Sequence, residues 1–240
     1  MMNELELFNN MQVMNLLRTA WQYYIRNFHK ILCIVLIIAV PVEGLIYYFF
    51  QDTMEGKVYG LQILLNLIMS ALLTIIPSTI ICMMFPKIVN GEEVGLKEAF
   101  RKGLKYWFKL TVYVFIVRII AAFGLLLFII PGLIFGVRML FVNYIIMLEG
   151  TYGNNPIKRS NEMIKGRTGE FMLITVGIGI VQWGLDYVFR TYIHLDPWLL
   201  SLISGVISEL FLEFMTVLFL IAYLYIRKYE NPEQIITFDE

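Results

Sequence analysis

Residues 107–148 read WFKLTVYVFIVRIIAAFGLLLFIIPGLIFGVRMLFVNYIIML. A helix needs about 20 mostly apolar residues to cross a bilayer. This stretch is about twice that length, with only Lys109, Arg118 and Arg138 charged, and one obvious breaker, Pro131-Gly132. Proline lacks a backbone donor and glycine permits a tight reversal, so the dipeptide reads as the turn of a helical hairpin. One long kinked helix is the other reading, but its length is too great for a single crossing.

Working outward, similar apolar runs occupy 31–50, 61–84, 171–189 and 198–226, flanking the pair at 107–130 and 132–148. The chain of 240 residues is 59% hydrophobic and only 16% charged, with a mean hydropathy of +0.71. Soluble domains carry about 25% charged residues. The expected fold class is therefore all-α: a polytopic integral membrane protein with six transmembrane helices in one domain, 1–240. Lys+Arg and Asp+Glu both number 19, so nothing in the balance calls for a nucleic-acid partner. Cys33 and Cys82 both lie inside apolar runs and read as small buried hydrophobes rather than a disulfide. The first thirteen residues hold Glu4 and Glu6 and no basic residue, so no cleavable signal peptide is expected.

Orientation follows the distribution of Lys and Arg. With six spans, Lys57 and Arg190 fall on one side and Arg118 and Arg138 within spans; the other fifteen collect on the opposite side. That side holds both termini and is expected to be cytoplasmic. A five-span arrangement would mix the charges.

The segments before the odd-numbered spans share a pattern. Leu96, Ala99, Phe100, Leu104, Trp107 and Phe108 follow helical spacing, with Lys97, Arg101, Lys102 and Lys105 on the other face. Leu17–Phe28 repeats the arrangement, and 157–167 does so more weakly. Aligning 17–31 with 96–110 matches Arg18 to Lys97, Trp21 to Phe100 and Lys30 to Lys109. Three units are expected, each an interfacial amphipathic helix feeding a membrane hairpin. Lys97, Arg101, Lys102 and Lys105 are the candidates for contact with lipid headgroups, although ordinary positive-inside anchoring is the simpler account of them.

The run Ile129-Ile130-Pro131-Gly132-Leu133-Ile134-Phe135-Gly136-Val137-Arg138 continues through Met147-Leu148-Glu149-Gly150 to Pro156-Ile157-Lys158-Arg159-Ser160 and Lys165-Gly166-Arg167. It resembles a bacterial membrane family that includes the membrane domain attached to some glycerophosphoryl diester phosphodiesterases, together with stand-alone relatives. The resemblance covers roughly residues 95–180. Asn161 stands where that family often has an aromatic residue. The phosphodiesterase catalytic domain has no counterpart in these residues, so its activity is not carried over, and the resemblance implies a six-helix membrane module of undefined activity.

Charges inside a bilayer cost about 2.5–3.5 kcal/mol each on insertion scales, so each asks for a role. The candidates are Glu43, Arg118, Arg138, Asp186, Glu209 and Glu213, with Asn66 as a polar companion. Glu209 and Glu213 share a helix face with Ser201 and Gly205, while Asn66, Ser70, Thr74 and Ser78 recur at four-residue spacing. Both stripes are expected to face the bundle interior. Two readings compete: packing ion pairs of Arg118 and Arg138 with Glu43, Glu209 or Glu213, or a polar cavity for an ion, a proton or an amphiphile.

Enzyme signatures are missing: no H-E-x-x-H, no G-x-S-x-G and no phosphate-binding glycine loop. His29 and His194 are expected on opposite sides, so no metal site and no cofactor is expected. The sequence thus leads to a non-enzymatic protein of a bacterial cytoplasmic membrane, of accessory, envelope-maintenance or immunity type. A small transporter or lipid-handling protein is the alternative. Membrane lipids are the expected partners, with another membrane protein or a small amphiphilic ligand as further ones.

Overall fold

A computed structural model describes residues 13–54, 75–89, 95–127, 129–149, 155–193 and 195–230; for Glu43, Lys102 and Arg118 it describes the backbone alone. Asn66 lies outside the described residues, as does most of the expected second span. The described residues form helices and contain no strand: α1 Val13–Arg26, α2 Phe28–Met54, α3 Ile75–Val89, α4 Leu96–Leu127, α5 Ile129–Arg138, α6 Val142–Leu148, α7 Pro156–Ile164, α8 Thr168–Tyr192 and α9 Pro197–Glu230.

Three helical segments are long and apolar enough to cross a membrane: Ile130–Leu148, Thr168–Phe189 and Trp198–Arg227. They coincide with the expected fourth, fifth and sixth spans. A fourth candidate is the broken pair Val13–Arg26 and Phe28–Val42, which overlaps the expected first span only over residues 31–42; Ile75–Phe85 is a shorter apolar helix.

Two details differ from the sequence expectation. Segment 96–108 is not a separate helix, because α4 runs unbroken from Leu96 to Leu127. Its only internal breaker before the apolar run is Gly103, and there the helix packs closely: a Cβ at Gly103 would lie 2.7 Å from Ile80 Cγ1 and 3.1 Å from Ile80 Cα. A bare backbone is the condition for that approach of α4 to α3. The second difference concerns the hairpin. Pro131 and Gly132 lie inside the first turn of α5, where a missing N–H removes no helical hydrogen bond. α4 ends at Leu127 and α5 begins at Ile129. A Cβ at Gly124 would lie 3.0 Å from Gly132 Cα. Eight residues along one helix would separate the two by about 12 Å, so the chain turns back between them.

The described chain divides into two compact units. The first comprises Met1–Arg26, Val112–Gly177 and Phe214–Glu240. Its core is aromatic. Phe141 meets Tyr144, Phe171 and Tyr223 edge-on, with ring centroids 6.2, 5.4 and 5.8 Å apart, and Tyr144 stacks on Tyr223. Rings at these separations gain about 0.5–1.5 kcal/mol beyond area burial. Around them, almost every residue from Thr216 to Ile226 is buried. α1 buries Leu16, Ala20 and Tyr24 along one face, and Trp21 and Tyr24 both meet Phe214 edge-on. The second unit comprises Asn27–Thr111 and Ile178–Glu213. There α2 packs on α3, and Lys87 pairs with Glu98 at 3.2 Å.

Candidate functional site

The polar residues of the first unit gather where an apolar helix is interrupted. Between α5 and α6 the chain makes three tight bonds: Met139 N–H to Gly136 O, Leu140 N–H to Val137 O and Val142 N–H to Met139 O, at 3.2, 3.1 and 3.2 Å. In an unbroken α-helix, Phe141 N–H would donate to Val137 O and Val142 N–H to Arg138 O. Both of those bonds are forfeited. A serine from α7 replaces them. Ser160 Oγ accepts from Phe141 N–H at 3.1 Å and donates to Arg138 O at 2.8 Å. The serine is 0% exposed, so its hydroxyl satisfies groups that water does not reach.

The next residue of α7 continues the contact: Arg138 Nη1 donates to Asn161 Oδ1 at 3.3 Å. Arg138 Nε is buried and has no hydrogen-bond partner among the described residues. One of the two expected readings set Arg138 opposite an acid; the contact observed is with a neutral amide. The guanidinium charge is therefore not cancelled by Asn161.

A charge cluster closes the other end of α6. Glu149 accepts from Tyr223 Oη–H at 2.8 Å, lies 3.6 Å from Arg159 Nε and 4.0 Å from Arg227 Nε. Arg227 Nη1 also donates to Leu148 O at 3.4 Å, the favoured place for a cation at a helix C-terminus. The three charged side chains are 18–23% exposed, which leaves two cations around one carboxylate in a partly dehydrated place. α7 itself starts cleanly: Asn155 caps it through a bond from Ile157 N–H at 3.0 Å, with Pro156 in its first turn. It ends at Ile164, and Gly166 just beyond has φ of +93°.

None of Ser160, Asn161, Glu149, Arg159, Arg227 and Tyr223 was among the intramembrane candidates. Glu149, Arg159 and Ser160 lie in the run on which the expected family resemblance rested; Asn161, Tyr223 and Arg227 carried no such signal. Hydropathy does not single out a serine.

In the second unit, Glu213 is 0% exposed and accepts from Ser78 Oγ–H at 2.8 Å. This brings the serine end of one expected stripe against the carboxylate end of the other. Glu209 is also buried. Elsewhere in this unit a small recess is lined by Gln182, Asp186, Ser204 and Ser208, with Phe189 and Phe211 among its apolar walls; neither Glu209 nor Glu213 lines it. Ser204 bonds back to Ser201 O. Lys97, Arg101 and Lys105 are exposed on α4. Among the described residues, no three His, Cys, Asp or Glu side chains converge as a metal site would require. No family model, no curated protein and no solved structure matches the chain.

Proposed function

We propose that the chain is a non-enzymatic, six-span protein of a bacterial cytoplasmic membrane, with both termini inside, that handles lipid by holding the headgroup of an anionic amphiphile at the α5–α6 interruption. The supporting observation is Arg138. It sits within an apolar segment long enough to cross the bilayer, beside a broken run of backbone, and its hydrogen bond goes to an amide rather than an acid. Non-helical backbone at membrane depth is tolerated where protein buries it or where it lines a polar site. Interrupted helices are also where membrane proteins commonly present charge to substrates. An arginine fork is suited to phosphate. The resemblance of residues 95–180 to a phosphodiesterase-associated membrane domain fits a module that works next to phospholipid.

The test is retention of lipid. Protein extracted in mild detergent from a membrane containing phosphatidylglycerol is expected to carry it through purification. Arg138→Gln should lower the retained amount at least several-fold while the yield of folded protein is unchanged. Equal retention by wild type and Arg138→Gln would overturn the reading.

A second reading, the accessory or immunity role, draws on α8. Leu173, Ile180, Trp183, Tyr187 and Tyr192 are all exposed along it, a face that suits a helix of another membrane protein as well as lipid. Photo-crosslinkers at Trp183 and Tyr187 separate the cases: a discrete protein adduct in native membranes supports the accessory role, and lipid adducts alone remove it.

A further inference from the structure

We infer that α7 is a removable clip, and that its withdrawal lets residues 129–148 close into one continuous membrane helix. The inference does not depend on the identity of any ligand at Arg138.

Four observations carry it. First, the two backbone groups that the interruption forfeits, Phe141 N–H and Arg138 C=O, are the two that Ser160 Oγ takes up. One hydroxyl can act as donor and acceptor at once, so serine is a complete substitute for the missing helical pair. Secondly, the backbone at the interruption is already close to helical. Phe141 has φ −90° and ψ −1°, and no residue there has positive φ. Re-forming the Phe141 to Val137 and Val142 to Arg138 bonds therefore requires small torsional changes. Thirdly, no proline occupies 139–148, so nothing covalent prevents closure. Fourthly, α7 is a nine-residue helix held through two adjacent residues at its middle: Ser160 on Phe141, just before α6, and Arg159 on Glu149, just after it, at 3.6 Å.

The two arrangements satisfy the same backbone groups in different ways. With α7 docked, the hydroxyl satisfies them and Asn161 engages Arg138. With α7 withdrawn, the helix satisfies them itself and Arg138 loses its amide partner. An element with two self-consistent hydrogen-bond patterns is bistable, and a modest differential contact is enough to bias it. Ser160 and Asn161 thus link the position of a short helix outside the apolar run to the availability of a charge inside it.

Hydrogen exchange on the full chain in nanodiscs distinguishes this from a plain structural contact. In Ser160→Ala, the α7 amides should lose protection by about tenfold or more, as expected for an element whose local opening is no longer held closed, while Phe141 and Val142 stay protected. Ser160→Thr, which keeps the hydroxyl, should exchange as wild type. Faster exchange at Phe141 with α7 still protected would overturn the inference, as would no change at either place. If Ser160→Ala yields no folded protein, Arg159→Gln loosens the other tether and leaves the hydroxyl intact. Protection should then fall in α7 and persist at Phe141; a joint fall, or none, would overturn it.

Discussion

At the residue scale, the chemistry of the first unit is concentrated in side chains that hydropathy treats as ordinary. Glu149 joins Tyr223, Arg159 and Arg227. Replacing it by Gln keeps a hydrogen-bond acceptor for Tyr223 but leaves the two guanidinium groups facing each other. Removing one partner of a fully buried pair costs about 3–5 kcal/mol, and exposed pairs contribute about 0–1 kcal/mol. At 18–23% exposure the expected loss is about 1–2 kcal/mol, read as a lower unfolding midpoint in detergent. Tyr223→Phe removes only the hydrogen bond and should cost about 1 kcal/mol. A smaller loss for Glu149→Gln than for Tyr223→Phe would contradict the charge argument. Gly166 gives an independent check. An L residue at its φ of +93° is strained by about 1–2 kcal/mol, although nothing lies within 4 Å of a Cβ there. Gly166→Ala should therefore destabilise through backbone conformation alone, measured by the same midpoint.

Much of this lay in the sequence in a form that counting does not extract. Arg159 and Arg227 were counted as members of a basic cytoplasmic set, since periodicity and charge asymmetry treat each cation alone. That Glu149 gathers both depends on α7 and α9 meeting the end of α6, a tertiary fact. Ser160 is still harder to find, because its role is to replace backbone bonds whose loss no composition records. Glu213 was legible: an acid four residues from another on an apolar helix is conspicuous, and its Ser78 partner lay on a stripe already visible.

At the scale of elements, glycines separate close packing from mere helix composition. Gly103 faces Ile80 and Gly124 faces Gly132, each with backbone atoms within 3.2 Å of a built Cβ. Gly177 and Gly179 on α8 have nothing within 4 Å. Gly124→Leu should force α4 and α5 apart and cost about 1–3 kcal/mol through overpacking. Gly177→Ala should be neutral or stabilising, by up to about 1 kcal/mol from helix propensity. Paired melting curves of the two variants check the contrast, and equal effects would remove the case for a helical hairpin closed on Gly124. Pro131-Gly132 was expected to form the turn of a hairpin, but both residues lie in the first turn of α5. Proline marks the start of a helix as readily as its end, and the sequence alone does not say which.

At the scale of the whole molecule, length and charge together constrain how the chain meets the membrane. α4 contains 32 residues and is about 48 Å long as a straight helix, against a hydrocarbon core of about 30 Å. Were α4 the expected third span, about 18 Å of it would project beyond the apolar layer or tilt along it. The end that would do so carries Lys97, Arg101, Lys102 and Lys105, and the cost of burying cations decides which end that is. If the positive-inside asymmetry governs orientation, this basic end lies in the cytoplasm and the segment around Lys57 lies outside. Reporters fused after Lys57 and after Lys102 should then give opposite signals, active outside for the first and active inside for the second. Lys97→Cys, in a chain with Cys33→Ala and Cys82→Ala so that it is the single cysteine, should react with an impermeant thiol reagent only after the cytoplasmic face is opened. The two assays test different steps. Agreement between the reporters would remove the even number of crossings, and with it the placement of both termini inside. Opposite reporters with an unreactive Lys97→Cys would keep the orientation but lay the basic end of α4 in the headgroup layer, where its lysines would contact lipid rather than water.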